Sequence, residues 1–312
     1  MASTILTGSA NVPLAEAIAK RLAVTLVPRT LERFPDGEMH VEVQRSVCGD
    51  DVYLVQPTGP PVDGNLLELM LLADACRRDG ARRLTAVVPY LGYARHDRRA
   101  RGREAIGARL VADLFQVGRF ERTVAVDLHS PALEGFFAMP VEHLTAVPLL
   151  AEAARPFAGA QSVVVAPDLG AAKLADRYGQ LLGSPVAVVH KTRLSGTEVS
   201  VHGVSGNVRG RKALVVDDMI STGATIDAAV RALGAAGALP GSTVVVTHGL
   251  FCGSALERLA AAGIEQLIVS DSLPAPPRSS VPIQTVAIGG LLASAIERLH
   301  RGRSVADLLA HT

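Results

Sequence analysis

Short, β-branched apolar runs alternate regularly along this chain with longer Ala/Leu-rich stretches that have helical spacing. Eight apolar runs are typical of buried strands: Asp51–Gln56, Leu84–Pro89, Thr123–Asp127, Ser162–Ala166, Val186–His190, Ala213–Val216, Thr243–Thr247 and Glu265–Val269. Four amphipathic stretches between them are typical of helices: Leu66–Arg78, Ala105–Leu114, Ala171–Leu182 and Thr225–Ala236. Because neighbouring parallel strands need a crossover helix, this order predicts an α/β fold with mostly parallel sheets flanked by helices.

A weak internal repeat indicates that the fold occurs twice. The segment AVVPYLGYAR at 86–95 resembles VVAPDLGAAK at 164–173, and AVDLHS at 125–130 resembles VVDDMIS at 215–221. The order is the same in both halves, and 312 residues are enough for two domains of ordinary size. We therefore predict one domain at 1–147 and a second at 148–290, with a helix in 291–312 packing back on the first.

Charge and cysteine usage exclude several classes of protein. The 31 Lys and Arg residues balance 30 Asp and Glu residues, which argues against a nucleic-acid partner. The three cysteines form no CxxC pair, a pattern typical of reduced intracellular thiols. A charge-free stretch at 232–256 is broken by Pro240-Gly241-Ser242, so it indicates a turn before a buried strand rather than a membrane span. We expect a cytoplasmic protein without a membrane partner.

The segment VVDDMISTGATI, Val215 to Ile226, has the strongest chemical signal. An apolar strand ends in Asp217 and Asp218, and small hydroxyl-bearing residues then lead into a helix. Small residues and a helix N-terminus suit a phosphate, whereas paired carboxylates suit vicinal ribose hydroxyls, directly or through Mg²⁺. The segment predicts a cup for a phosphoribosyl group; the alternative is an acid-rich turn with a helix cap.

Two further segments offer groups that suit a nucleotide. FPDGE at 34–38 presents an aromatic ring and carboxylates, although a lone Phe34 is more often a core residue. The arginine run from Arg95 to Arg103 suits bidentate phosphate binding, although charge runs are usually solvated loops.

The remaining candidates follow predicted strands. His129 and Asp168 each come just after a strand and could share a divalent cation, although a lone histidine is more often structural. Lys191 and Arg193 are two apart, so a continuing strand would place both on one side. The alternative is an ordinary pair of edge charges.

Taken together, these segments carry a family resemblance. FPDGE, PYLGYARHDRR at 89–99, DLHS at 127–130, APDLGAAK at 166–173 and HKTR at 190–193 occur in the order seen in ribose-phosphate pyrophosphokinases. The segment DDMISTGAT resembles the phosphoribosyl-diphosphate signature of type I phosphoribosyltransferases, and it is closer to the archaeal-type branch of the pyrophosphokinases. The resemblance implies two tandem type I phosphoribosyltransferase-like domains.

The resemblance also implies an activity. It is the Mg²⁺-dependent transfer of the diphosphoryl group of ATP to the 1-hydroxyl of ribose 5-phosphate, which gives 5-phospho-α-D-ribose 1-diphosphate and AMP. It implies a homo-oligomer, a dimer or higher, with the adenine pocket across a subunit contact. Two alternatives stay open: a non-catalytic regulatory subunit of such a complex, and a salvage phosphoribosyltransferase, which would share the sugar cup.

By the same resemblance, each candidate residue receives a role. ATP is bound by Phe34, Asp36, Glu38, Arg95, His96 and Asp97; ribose 5-phosphate by Asp217, Asp218, Ser221, Thr222, Gly223, Ala224 and Thr225; the diphosphate by Asp168, Leu169, Gly170 and Ala171; the metal by His129 and Asp168; Lys191 and Arg193 are catalytic. The family commonly has Gln at position 96, Gly at 171 and Asp at 221. A positive φ at Ala171 would strain the alanine.

Overall fold

A computed structural model describes residues 3–99, 102–193 and 199–310, with the backbone alone described at 191–193 and 199–202. In chain order the elements are β1 (Thr4–Thr7), α1 (Val12–Leu22), β2 (Arg29–Arg33), β3 (Met39–Val43), β4 (Asp51–Val55), α2 (Val62–Arg78), β5 (Arg83–Val88), α3 (Gly107–Val117), β6 (Arg122–Val126), β7 (Val141–Leu144), α4 (Val147–Ala154), β8 (Ser162–Ala166), α5 (Ala172–Leu182), β9 (Val186–Arg193), β10 (Val199–Ser205), β11 (Lys212–Ile220), α6 (Ala224–Ala235), β12 (Leu239–Gly249), α7 (Ala255–Ala261), β13 (Ile264–Ser270), β14 (Ile283–Val286) and α8 (Gly289–His300).

The chain divides into two compact units. The first comprises Met1–Thr145, Ser272–Pro274 and Ile288–Thr312, and the second comprises Ala146–Asp271 and Ala275–Ala287. The predicted functional domains at 1–147 and 148–290 stay a prediction.

The first unit is built on a five-stranded sheet in the order β1-β4-β5-β6-β7, in which every pairing is parallel. Leu54, Val88 and Ala125 from its strands pack with Leu69 of α2 and Phe115 of α3 in one buried cluster. Strands β2 and β3 form a separate antiparallel hairpin that contacts α2. Helix α8 packs on α1, so the last helix of the chain contributes to this unit.

The second unit contains a seven-stranded sheet in the order β10-β9-β8-β11-β12-β13-β14. Its pairings are parallel except that of β10 with β9. Val165, Val215 and Val244 in its central strands are fully buried, as expected for parallel strands covered on both faces. The predicted α/β class is confirmed, and the predicted strands and helices all overlap observed ones.

The structure changes three local expectations. The predicted turn at Pro240-Gly241-Ser242 lies inside β12, where a register shift after Ser242 and a φ of +81° at Gly241 accommodate it. Strand β11 continues past the paired aspartates to Ile220. The predicted strand at Val186–His190 continues to Arg193 and pairs with Val199–Ser205, a strand that the sequence does not predict. Within the described ranges, no helix is long and apolar enough to cross a membrane.

Candidate active site

Three carboxylates meet at one edge of the second sheet. β8 and β11 are parallel neighbours with Val165 opposite Val215, so both strands end at the same edge. Asp168 follows β8, and Asp217 and Asp218 lie in the last part of β11. Burial raises the pKa of Asp217 well above its usual range, and the charges of Asp218 and Asp168 raise it further. This edge therefore favours a cation or several hydrogen-bond donors.

The predicted cup follows directly at the end of β11. Ser221 and Thr222 lead to Gly223, which has a φ of +74° and is the N-cap residue of α6. A Cβ at Gly223 would lie 3.4 Å from the Ala255 carbonyl oxygen, an ordinary contact distance, so it is the backbone conformation that favours glycine. The cup thus places first-turn backbone amides and the positive end of the helix dipole at the sheet edge.

A second segment holds the cup in place. The backbone amides of Leu250 and Phe251 both donate to the Ile220 carbonyl oxygen, at 2.9 and 3.3 Å, and Cys252 donates to that of Ser221 at 2.9 Å. Phe251 has a φ of +45°, a conformation that is uncommon for a residue with a side chain. The chain after β12 therefore fixes the start of the cup, a role that the sequence analysis missed.

The predicted diphosphate loop is a short turn between β8 and α5. Leu169–Ala171 form one 3₁₀ turn, and the Asp168 carboxylate accepts the Ala171 amide at 3.2 Å. Ala171 has a φ of −86°, so the alanine is not strained at a position where the family commonly has glycine. The capping bond fixes the orientation of the Asp168 carboxylate at the edge.

The backbone of Lys191 and Arg193 lies at the end of β9. Val188 is opposite Ala166, the last residue of β8, so 191–193 extend beyond β8 at the same edge. There they pair only with β10, where Arg193 is opposite Val199 and Lys191 is opposite Val201. Their side chains lie outside the described part of the structure, as does all of 194–198. The continuing strand agrees with the spacing argument, and the catalytic role stays a prediction.

In the first unit, the Arg95 segment follows a turn that is firmly attached to Thr58. The Gly92 amide donates to the Thr58 hydroxyl at 2.7 Å, and the Thr58 amide donates to the Tyr90 carbonyl oxygen at 2.9 Å. A Cβ at Gly92 would lie 2.5 Å from the Thr58 carbonyl oxygen, so only glycine allows this approach. The turn leaves Arg95 exposed.

The other predicted ATP contacts of the run, His96 and Asp97, follow Tyr93. Tyr93 has a φ of +63°, and its hydroxyl donates to the Asp63 carboxylate at 2.5 Å. His96 is exposed with its ring edge-on to that of Tyr93, and Asp97 is half-buried. Residues 100 and 101 of the arginine run lie outside the described ranges. The described part of the run therefore begins on an ordered turn and is mostly exposed.

The FPDGE segment forms the turn of the β2–β3 hairpin. The Gly37 amide donates to the Phe34 carbonyl oxygen at 2.9 Å, and the Glu38 amide donates to the Asp36 carboxylate at 3.0 Å. Phe34 is 49% exposed, so it is not a core residue of this chain. Its ring lies 5.9 Å from that of His40, which the sequence analysis did not select. The hairpin offers two exposed rings, while Asp36 shapes the turn.

His129 is exposed on the turn that follows β6. It belongs to the first unit and Asp168 to the second, and their shared role as metal ligands stays a prediction. Within the described residues, no group of three or more His, Cys, Asp or Glu side chains could hold a metal ion. Mg²⁺ is commonly held by one or two carboxylates and substrate phosphates, and Asp168 and Asp217 provide that donor type.

Comparison with known proteins agrees with this arrangement. Residues 3–118 match the family described as the N-terminal domain of ribose phosphate pyrophosphokinase, and residues 194–310 match the phosphoribosyl synthetase-associated domain. The ribose-phosphate pyrophosphokinase of Rhodopirellula baltica is 42% identical over 97% of both chains, and that of Gloeobacter violaceus is 39% identical over 97% of this chain and 92% of its own. The phosphoribosylpyrophosphate synthetase of Mycobacterium smegmatis superimposes with a TM-score of 0.90 at 36% identity, covering 97% of this chain and 100% of its own. The chain therefore belongs to the ribose-phosphate pyrophosphokinase family.

Proposed function

We propose that this protein transfers the diphosphoryl group of ATP to the 1-hydroxyl of ribose 5-phosphate, which gives 5-phospho-α-D-ribose 1-diphosphate and AMP. The main evidence is the Asp217–Asp218 pair followed by the cup at the start of α6. The chain also matches ribose-phosphate pyrophosphokinases over nearly all its length. Neither alternative is favoured, because the relatives bear the name of the synthesising enzyme and the match includes the first unit.

The acceptor sugar binds in the second unit. Its 5-phosphate receives backbone amides and hydroxyls of Ser221–Thr225, at the positive end of the α6 dipole. Its vicinal hydroxyls donate to Asp217 and Asp218, and these hydrogen bonds offset the burial and the carboxylate repulsion that raise the pKa of Asp217. This assignment explains why two carboxylates adjoin a phosphate cup without occupying it.

The donor nucleotide is bound by the exposed groups of the first unit. The Phe34 ring stacks on the adenine, Asp36 and Glu38 accept hydrogen bonds, and Arg95 and Asp97 contact the nucleotide with His96 beside them. His129 and Asp168 would hold Mg²⁺, which when bound would supply positive charge that neutralises the triphosphate. The amides of Leu169–Ala171 bind the transferred diphosphate.

The reaction forms a bond between the sugar O1 and the β-phosphorus and breaks the bond from that phosphorus to the oxygen of the AMP phosphate. Such transfers depend mainly on positioning and on stabilising charge in the transition state. Lys191 and Arg193, at the end of β9, supply that positive charge. We assign no general base.

One assay tests the proposal. Purified protein is incubated with Mg²⁺, ATP and ribose 5-phosphate while AMP is quantified, with a parallel reaction that lacks the sugar. AMP release that requires ribose 5-phosphate supports the proposal. AMP release without sugar would indicate a simple hydrolase, and no AMP under either condition would refute the enzymatic assignment.

The assembly and cellular location belong to the same proposal. We expect a homo-oligomer, since the family resemblance implies an adenine pocket across a subunit contact, and we expect a cytoplasmic enzyme. Sedimentation velocity tests the first expectation: a monomer that retains full activity at nanomolar concentration would contradict it.

A further inference from the structure

His143 lies at the centre of an unusual set of contacts around the turn that carries His129. It is in β7, and only 4% of it is exposed. Its Nε2 accepts the Leu128 backbone amide at 2.8 Å, and its Nδ1 lies 2.8 Å from the Glu134 carboxylate. Neither His143 nor Glu134 has a role in the substrate and metal binding proposed for this protein.

The contacts determine the tautomer of the imidazole. A backbone amide can only donate, so Nε2 of His143 must present its lone pair to Leu128. The proton of the neutral ring is then on Nδ1, from which it is donated to Glu134. Glu134 thus orients the ring in the way that a carboxylate orients a metal-binding histidine, although here the acceptor is aimed at a backbone amide.

The turn itself needs such support. Asp127 has a φ of +39°, in the left-handed region that residues with a Cβ rarely occupy. Its amide donates to the Leu144 carbonyl oxygen at 2.9 Å. Strand β7 therefore supplies consecutive acceptors, one from the backbone of Leu144 and one from the side chain of His143, for the amides of Asp127 and Leu128. Backbone strain of this kind persists only where surrounding contacts fix it.

From this geometry, we propose that the Glu134–His143 pair is a positioning unit that holds Leu128, and so aims the adjacent His129 toward the Mg²⁺-bound triphosphate. The inference rests on the role proposed for His129 above. It assigns to His143 an effect on the donor site, distinct from its contribution to packing, because the side chain acts through one defined acceptor atom.

Two substitutions distinguish the effect of the hydrogen-bond acceptor of His143 from that of its aromatic ring. His143→Phe keeps an aromatic ring but removes the acceptor, whereas His143→Gln places an amide oxygen near the position of Nε2. Hydrogen exchange of the Leu128 amide reports the contact directly. Steady-state kinetics with varied Mg²⁺-ATP report its consequence, and calorimetry with ribose 5-phosphate reports the separate sugar cup.

We expect exchange of the Leu128 amide to be at least about 10-fold faster in His143→Phe, and kcat/KM for Mg²⁺-ATP to fall about 10–100-fold, as is usual when a residue supporting a metal site is lost. Ribose 5-phosphate affinity stays within about twofold, since that cup lies in the other unit. His143→Gln should restore most of both losses.

The inference is overturned if His143→Phe exchanges faster at Leu128 yet keeps its kcat/KM for Mg²⁺-ATP, or if a folded His143→Gln is as impaired as His143→Phe. A wild-type protein that releases no AMP would refute the proposed function and, with it, this inference, while the exchange data would still report the contact. If His143→Phe does not fold, Glu134→Leu replaces it. That variant keeps the imidazole but frees Nδ1, and an unchanged kcat/KM would then overturn the inference.

Discussion

Replacing Gly223 by alanine tests whether the cup depends on a left-handed residue at the start of α6. Gly223 has a φ of +74°, a conformation that costs a residue with a Cβ about 1–2 kcal/mol. The added methyl group would lie 3.4 Å from the Ala255 carbonyl oxygen and from a Leu259 side-chain carbon, distances close to ordinary contact. Steric overlap therefore adds little, and Gly223→Ala should destabilise the protein by about 1–2 kcal/mol.

The same helix offers a matched control. Gly234 lies near the other end of α6, where an added Cβ would meet no atom within 4 Å. Gly234 is the second-to-last residue of α6, so alanine there should be favoured by at most the roughly 0.5–1 kcal/mol that separates the two residues in a helix interior. The identical chemical change should thus stabilise the protein at position 234 and destabilise it at position 223.

Thermal unfolding and calorimetry measure the two effects. At about 2–4 °C for each kcal/mol, the two variants should move the melting temperature in opposite directions. Ribose 5-phosphate should bind more weakly to Gly223→Ala, because the backbone amide of residue 223 is reoriented. It should bind to Gly234→Ala as it does to the wild type. The idea that position 223 requires glycine is wrong if Gly223→Ala is as stable as the wild type, or if both variants shift the melting temperature in the same direction.

Further predictions concern charge. Asp51 is 4% exposed, and hydrogen bonds from arginines lower its pKa from 3.8 to about 2. The resulting contribution to the free energy of unfolding, on the order of 2 kcal/mol, is present above about pH 4 and is lost as the pH falls through about 2. The free energy of unfolding of Asp51→Asn should therefore depend less on pH in this range than that of the wild type. Asp218→Asn should weaken ribose 5-phosphate binding in calorimetry, and unchanged affinity would remove Asp218 from the site. Lys191→Ala and Arg193→Ala should each lower kcat by at least about 100-fold with sugar affinity retained, as for groups acting mainly on the transition state, whereas the exposed control Lys212→Ala should keep wild-type kcat.

The central strands of both sheets could be predicted because they are continuous apolar runs, buried on both faces. The strands that were not predicted include the edge strands of the two larger sheets, namely β1, β7, β10 and β14. Edge strands are short or carry polar residues, as VEHL in β7 and IQTV in β14 do, so their composition resembles that of loops. The β2–β3 hairpin was missed for the same reason, since six of the ten residues in its two strands are charged or polar.

The loops that carry chemistry could be located from sequence because each is a contiguous motif at the end of a predicted strand. The groups that hold those loops could not be located in this way. His143 is 15 residues from Leu128, and Thr58 is 34 residues from Gly92, so each is brought to its loop only by strand pairing. Neither residue has a local signal of its own. The strained conformation of Phe251 is likewise set by its bond to Ile220 across the sheet.

The placement of α8 has a consequence for how the chain folds during synthesis. Gly289 allows a close approach to α1, since a Cβ there would lie 3.1 Å from that of Ala17, and Leu292 and Ile296 are fully buried. The ribosome makes all of the second unit before Ile288–Thr312, which completes the first unit. The second unit can thus fold while the apolar side of α1 is still uncovered, an order opposite to the usual one for domains. Chains truncated after residue 287 and held on the ribosome through an added linker that spans the exit tunnel should therefore expose α1 to proteases or chaperones while already protecting the core of the second sheet.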